Sequence, residues 1–283
     1  YKNIYIVAHM VNQENLKKSI VDFEKNGFTI IRSLLKKNEI QKAKKEVQKI
    51  SKIIKKKYKP PYVYLTKDSK IDTIHGLHKF FPNSILLKFA KKKIVKSFYK
   101  AIYKDNSKIW NLQIFAKPKN TGLAAPFHQD NYYWNVLNSK ILSIWISLDR
   151  VTKKNGGVIY CKGSHKVGLL KHINSNFKGF SMIIPNNTLN KFKFNKYTPN
   201  LNPGDCLLHH CQVIHGSNKN ISNMNRRGVA IRLFGKKTKF NKNKVEFYKN
   251  QLKYQTVRLF GKNKIYSKRP GTSISPSLLK KVL

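Results

Sequence analysis

The chain has 283 residues, 40% of them apolar and 12% aromatic, and carries 58 Lys and Arg against 12 Asp and Glu, a formal charge of +46. That length holds one large domain or two small ones with a packed core, and no run reaches the roughly 18 uninterrupted apolar residues expected of a membrane-crossing helix. The three cysteines, Cys161, Cys206 and Cys211, form neither a CxxC pair nor an even framework, which reads as buried thiols in a reducing cytoplasm.

The opening "YKNIYIVAHM" contains a short apolar run without a small-residue cleavage site, so no signal peptide is expected, and Met10 is either the natural start or an internal residue. Residues 12–25 place Leu16, Ile20 and Phe23 at helical spacing, and Gly27 follows as a stop. "FTIIRSLL" then reads as a strand. Residues 37–57 form a long basic helix with Ile40, Ala43, Val47, Ile50 and Ile54 on one stripe. A further helix is expected over 84–103, after the break at Pro82.

From residue 108 to about 235 the texture changes to short apolar runs punctuated by Gly, Pro and Asn, such as "ILSIWISLDRV", "DCLLHHCQVIHG" and "GVAIRLFG". This spacing suits an antiparallel β sandwich or barrel. Residues 168–200 are polar with scattered Phe and read as a lid or insertion; residues 236–283 read as a basic tail with some helix. The expected organisation is one domain over 1–283: a helical buttress (12–107), a β core (108–235) holding the insertion, and the tail (236–283).

The lysines are spread along the whole chain, with dense runs at 55–57, 91–93 and 236–244. Two readings follow: attraction to an anionic partner such as nucleic acid, a membrane surface or a charged substrate, or compositional drift.

Within "PFHQDNYYW", His128 and Asp130 are two residues apart. In extended backbone such side chains point the same way, so the pair is either an ordinary polar pair at a strand end or half of a metal site. Two imidazoles and one carboxylate on one face would leave positions free for other ligands, as in non-haem Fe(II) oxygenases. A third ligand must come from elsewhere, and His215 stands apart because it opens the turn-like "HGSNKN" after an apolar strand. His209 and His210, inside that strand, read as core groups or as supports for the site. On "KIWNLQIFAKP", Asn111, Gln113 and Lys117 alternate with apolar residues and suit a pocket lining, Gln113 above all.

The runs "FHQDNYYW", "WISLDRVTKKNGGVIYCKGSHK" and "LNPGDCLLHHCQVIHGSNKNISNMNRR" resemble the phytanoyl-CoA dioxygenase family, with similarity in overall order over about residues 15–235. The resemblance implies a double-stranded β-helix (a jelly-roll core buttressed by N-terminal helices) and Fe(II)- and 2-oxoglutarate-dependent oxygenase chemistry using O2. It assigns the iron to His128, Asp130 and His215 and the 2-oxoglutarate carboxylate to Arg226, eleven residues after the distal histidine. A planar guanidinium pairs with a carboxylate in bidentate fashion, and the neighbouring Arg227 would face away. Ser217 resembles the hydroxyl that touches the same carboxylate, and Trp145 a wall of the cosubstrate pocket. Lys117, Gln129, Tyr133 and Trp134 are the candidates for the substrate pocket. Lys162 stands where the family usually has Pro before "GSHK". Asp130 is retained where related halogenases carry a small residue, which implies hydroxylation.

The expected partner is thus a small, anionic substrate hydroxylated at an unactivated C–H. The alternative is a nucleic-acid-binding or nucleobase-demethylating oxygenase, since some of these carry two arginines six apart, the spacing of Arg226 and Arg232. No RNA-recognition motif or zinc finger accompanies it, and the sequence specifies no oligomeric state.

Overall fold

The computed structural model describes residues 2–57 and 60–261; the last part of the expected tail, 262–283, lies outside the described residues. Among the described residues thirteen strands form the β component: β1 (Phe28–Ile31), β2 (Val63–Leu65), β3 (Ile71–Ile74), β4 (Lys108–Lys117), β5 (Ala125–His128), β6 (Ile141–Ser147), β7 (Ile159–Cys161), β8 (Ile173–Asn174), β9 (Met182–Ile183), β10 (Lys196–Tyr197), β11 (Cys206–His210), β12 (His215–Ser217) and β13 (Arg226–Phe234). A seven-stranded sheet runs β1-β11-β6-β13-β4-β3-β2, a four-stranded sheet β10-β7-β12-β5, and β8 pairs with β9. The strand pairings are antiparallel.

Helix α1 (Lys2–Asn26) ends where Gly27 adopts a φ of 81° and its amide donates to Phe23 O at 2.8 Å, the left-handed stop that glycine tolerates best. Helix α2 (Lys37–Lys57) buries Ala43, Val47, Ile50 and Ile54 of the expected stripe, half-buries Ile40, and exposes Lys42, Lys45, Lys49, Lys52 and Lys55. Helix α3 (Leu77–Phe80) follows β3. The helix expected over 84–103 is divided: a 3-10 segment occupies Ile85–Lys91, Lys92 is extended, and α4 spans Lys93–Tyr103. The short helices α5 (Asp130–Trp134) and α6 (Asn186–Leu189) interrupt the β region, and α7 (Lys242–Phe260) follows it.

One side of the seven-stranded sheet packs on the helices. Leu112, Ile114, Ile144, Ile146, Leu208, Val229 and Ile231 point there, joining Val47 and Ile54 of α2 and Val95 and Phe98 of α4 in one core. Each such side chain contributes about 1.5–3 kcal/mol by leaving water. The other side faces the four-stranded sheet, where Phe28 of β1 stacks on Tyr160 of β7 at 4.2 Å. The two-residue period of extended backbone therefore sends Ser143, Trp145 and Ser147 of β6 one way and Leu142, Ile144 and Ile146 the other, although all seven residues of β6 are buried.

The expected helical buttress also supplies sheet strands, since β2 and β3 extend the main sheet beyond β4. Strands of three and four residues are too short for their alternation to be recognised against the surrounding polar chain. No helix among the described residues is long and apolar enough to cross a membrane.

Candidate metal centre and its cavity

His128 is the last residue of β5, and His215, the first of β12, lies directly opposite it in the antiparallel register. Asp130 does not continue the strand; it opens the single turn of α5. The three residues are buried, and one ligand atom from each lies within 4.8 Å of the others. They form the one such group of metal-competent side chains among the described residues.

The hydrogen bonds decide which atoms are available. His128 Nδ1 donates to Pro126 O at 2.7 Å, and His215 Nδ1 donates to Val213 O at 3.0 Å. Carbonyl oxygens only accept, so each Nδ1 carries the proton and each Nε2 keeps its lone pair. Those Nε2 atoms lie 3.8 and 4.0 Å from Asp130 Oδ1. Burial, with His215 beside it, lowers His128 to a pKa of about 3; burial lowers His215 to about 4 despite the nearby carboxylate. Both imidazoles are neutral at neutral pH.

Asp130 divides its two oxygens. Oδ2 accepts from Ser143 Oγ at 2.9 Å and from His209 Nε2 at 3.2 Å, while Arg232 Nη2 stands 3.7 Å away. Burial alone would raise its pKa, yet the Arg232 charge and the histidine contacts hold it well below the usual carboxylate range. His209 is fixed in turn, because Tyr160 OH donates to its Nδ1 at 2.9 Å. Thus His209 and Ser143 orient the carboxylate, and Oδ1 faces the two imidazoles.

The triad opens on a cavity of about 150 Å³ between the two sheets. At one end lies Arg226, which is 2% exposed, bonds Gly156 O through Nη2 at 2.9 Å, and leaves Nε without a partner. Its guanidinium sits over the Trp145 ring at 5.2 Å. Burial lowers its pKa to about 10 against the pull of Asp72 and Asp149. Gly228 makes room for that ring, since a Cβ there would fall 2.0 Å from Trp145 Cζ2. Lys117, opposite Arg226 in register, donates to Ser217 Oγ at 2.7 Å and to Asn218 O at 2.6 Å. Burial and the adjacent Arg226 press its pKa well below the ordinary lysine value. Arg227 faces the opposite way and forms a bidentate pair with Asp149 at 2.8 Å on both branches.

Gln113 Nε2 lies 2.8 Å from His75 Nδ1 at the cavity wall, and Tyr133 and Trp134 also line it. Gln129, expected in the substrate pocket, does not line this cavity. Its side chain donates to Gly168 O and Gln212 O at 2.7 Å each and accepts from Leu170 N at 2.8 Å. Standing between the two ligands of the His-x-Asp pair, it points away from them and secures the start of the polar insertion.

Several lining residues were not singled out in the sequence. Tyr62, Tyr64, Asp72 and His75 come from the supposed buttress, Phe180 from the insertion, and Tyr248 and Leu252 from α7. Phe180 lies 5.1 Å from the His128 ring. These segments lack a shared motif, and only the spacing of Arg226 and Arg232 hinted that the second arginine faces the same way as the first.

The phytanoyl-CoA dioxygenase family model matches residues 23–228. The chain belongs to that family. Phytanoyl-CoA dioxygenase of Rattus norvegicus is 22% identical over 229 residues, 74% of this chain and 65% of the rat protein. The chain thus spans just under two thirds of the length of that mammalian relative. Among solved structures, EctD from S. alaskensis with bound Fe aligns with a TM-score of 0.66 at 18% identity, over 80% of this chain and 78% of that one. The non-heme alpha ketoglutarate dependent epimerase SnoN from nogalamycin biosynthesis aligns with a TM-score of 0.65 at 13% identity, over 93% of both chains. These likenesses establish a mixed α/β fold with antiparallel sheets.

The cytoplasmic expectation is corrected by the same comparisons: the rat, mouse, bovine and human relatives are all named peroxisomal. Cys161, Cys206 and Cys211 are indeed free and buried, but unpaired thiols inside a core report packing and do not select a compartment.

Proposed function

We propose that this family member is an Fe(II)- and 2-oxoglutarate-dependent dioxygenase that hydroxylates an unactivated C–H bond of a small anionic molecule. In this reading the facing sheets are the two walls of a double-stranded β-helix, and 1–283 is a single oxygenase domain. One observation carries it: His128 Nε2, His215 Nε2 and Asp130 Oδ1, all with free lone pairs, converge beside a cavity that ends on Arg226.

The donor set fits ferrous iron. Two neutral imidazoles and one carboxylate are the ligands of the facial triad, and the outward Nδ1 bonds together with Ser143 and His209 fix their aim. When bound, iron with 2-oxoglutarate and O2 supplies the oxidising power for C–H hydroxylation, yielding succinate and carbon dioxide.

The protein's part is to bind, orient and keep water out. Arg226, with its unpartnered Nε, would hold the far carboxylate of the keto acid, and Ser217 and Lys117 would flank it. Trp145 would wall that end, and Gln113, fixed by His75, would border the keto acid. Lys117, Tyr133 and Trp134 remain substrate-side candidates, with Phe180 close over the His128 ring. Arg226 and Arg232 are both buried at the cavity rather than displayed on a surface, so the pair forms no nucleic-acid-binding face.

The test is anaerobic addition of Fe(II) and 2-oxoglutarate, watching for the weak visible charge-transfer band of the ternary complex, followed by a screen of small carboxylates, phosphonates and phosphate esters for succinate release. A protein that binds no Fe(II), or whose band does not depend on 2-oxoglutarate, is incompatible with this function.

A further inference from the structure

Arg232 is a second buried guanidinium on the cavity. It lies six residues from Arg226 on the same face of β13, a Cα separation of about 20 Å along the strand. It is 5% exposed. Its Nε and Nη1 have no hydrogen-bond partner among the described residues, and its guanidinium stacks 5.6 Å from the Trp134 ring. Its nearest counter-charge is Asp130, with Nη2 3.7 Å from Oδ2, outside hydrogen-bond range.

That counter-charge is already committed. Ser143 and His209 both donate to Asp130 Oδ2, and Oδ1 belongs to the triad. Once a divalent cation sits on Asp130, Arg232 faces added positive charge and loses its only close carboxylate. A buried charge without a partner is strongly destabilising. The other carboxylate lining the cavity, Asp72, acts on Lys117 and Arg226 and accepts from Leu123 N at 2.8 Å. The protein therefore offers Arg232 no replacement, and an incoming anion is the available one. The surrounding wall is apolar in character: Tyr62, Tyr64, Phe115, Tyr133, Phe180 and Tyr248 line the same cavity.

We propose that Arg232 is the specificity-determining residue for substrate, receiving a carboxylate whose apolar body rests on this aromatic wall. The inference rests on the oxygenase reading, since it takes Arg226 to be occupied by 2-oxoglutarate and Asp130 by iron. It narrows the substrate class to amphiphilic acids: one anionic head beside the metal centre and an uncharged, carbon-rich remainder that presents the C–H bond.

The experiment is anaerobic calorimetry on the full chain saturated with Fe(II) and 2-oxoglutarate, titrated with two matched pairs: 3-phenylpropionate against 3-phenylpropionamide, and octanoate against octanamide. In at least one pair the acid binds more tightly than its amide by about 30-fold or more, the range for a buried hydrogen-bonded charge. Arg232→Gln erases that preference, Arg232→Lys keeps part of it, and both variants retain the 2-oxoglutarate-dependent charge-transfer band. The proposal is overturned if neither acid outbinds its amide, or if the preference survives in Arg232→Gln. It is also overturned if that variant loses the band together with the preference, since Arg232 would then serve the keto acid. Should Arg232→Gln not fold, the wild-type comparison and Arg232→Lys decide. Absence of the band in the wild-type protein would instead remove the oxygenase reading; the same acid and amide titrations with Zn(II) in place of Fe(II) then still decide the role of Arg232.

Discussion

The helix-facing and cavity-facing sides of the seven-stranded sheet are drawn from the same strands, one residue apart, and both are withdrawn from bulk solvent, the second only partly along β4. On β4, β6, β11 and β13 the first side presents Leu112, Ile114, Ile144, Ile146, Leu208, Val229 and Ile231, while the second presents Gln113, Lys117, Ser143, Trp145, His209, Arg226 and Arg232. The first side gains free energy from burial; the second loses it unless each polar group finds a partner. Among the described residues five buried side-chain polar atoms lack one, and four of the five belong to Asn111, Arg226 and Arg232. Unmet hydrogen-bonding capacity thus gathers where ligands would enter, and the apolar side carries the stability that tolerates it.

The sharpest way to separate the two sides is to remove a ligand. His215→Ala abolishes 2-oxoglutarate-dependent succinate formation while leaving a cooperative thermal transition, since only one inward side chain is lost; full turnover by this variant would end the metal assignment. Next, Ile144→Ala on the opposite side costs about 2–5 kcal/mol of stability, read from the urea midpoint, yet leaves Fe(II) affinity of the folded fraction unchanged. If metal affinity fell in step with stability, the two sides would not be separable.

Arg226→Met weakens 2-oxoglutarate binding by about 30-fold or more without altering Fe(II) uptake, measured by the charge-transfer titration. A smaller effect is expected one contact farther out: His209→Phe keeps the ring volume but withdraws the bond to Asp130 Oδ2, lowering metal affinity by about 10–100-fold.

The mildest contrast is in pH. Burial above all holds His75 and His172 to a pKa of about 4 and His210 to about 3, from an ordinary 6.5. Because the folded values are depressed, the unfolded chain takes up protons first. Their contribution to stability is complete above pH 6.5 and declines as the pH falls from there toward the folded values. Urea midpoints of the metal-free protein at pH 7.5 and pH 5 check this; a higher midpoint at pH 5 would contradict it.

Much of this arrangement was legible in the residues. The stripe on α2 is a helical repeat, and the alternation on β4 is a strand repeat, so each announces its own buried side. Likewise the His-x-Asp pair and the isolated "HGS", which reads as a turn but forms strand β12, carry a chemical signature that local spacing preserves. Gln129 was misplaced for an equally local reason: adjacency to the ligands in sequence is opposition in extended backbone. Tyr62, His75, Phe180 and Tyr248 were invisible because they reach the cavity from segments with no common pattern.

By itself the sequence determined which residues can be helical and which faces are apolar, because those depend on neighbours within a few positions; the His-x-Asp spacing offered half of a metal site, and the resemblance to the family supplied His215 as the third member. Only the tertiary structure decided that β12 lies beside β5 with His215 opposite His128, that Asp130 turns away from the strand to offer one oxygen, and that Arg232 is left without a full set of partners. Those outcomes depend on register and on contacts between residues a hundred or so positions apart, where the free energy belongs to the packed whole and to no single stretch of chain.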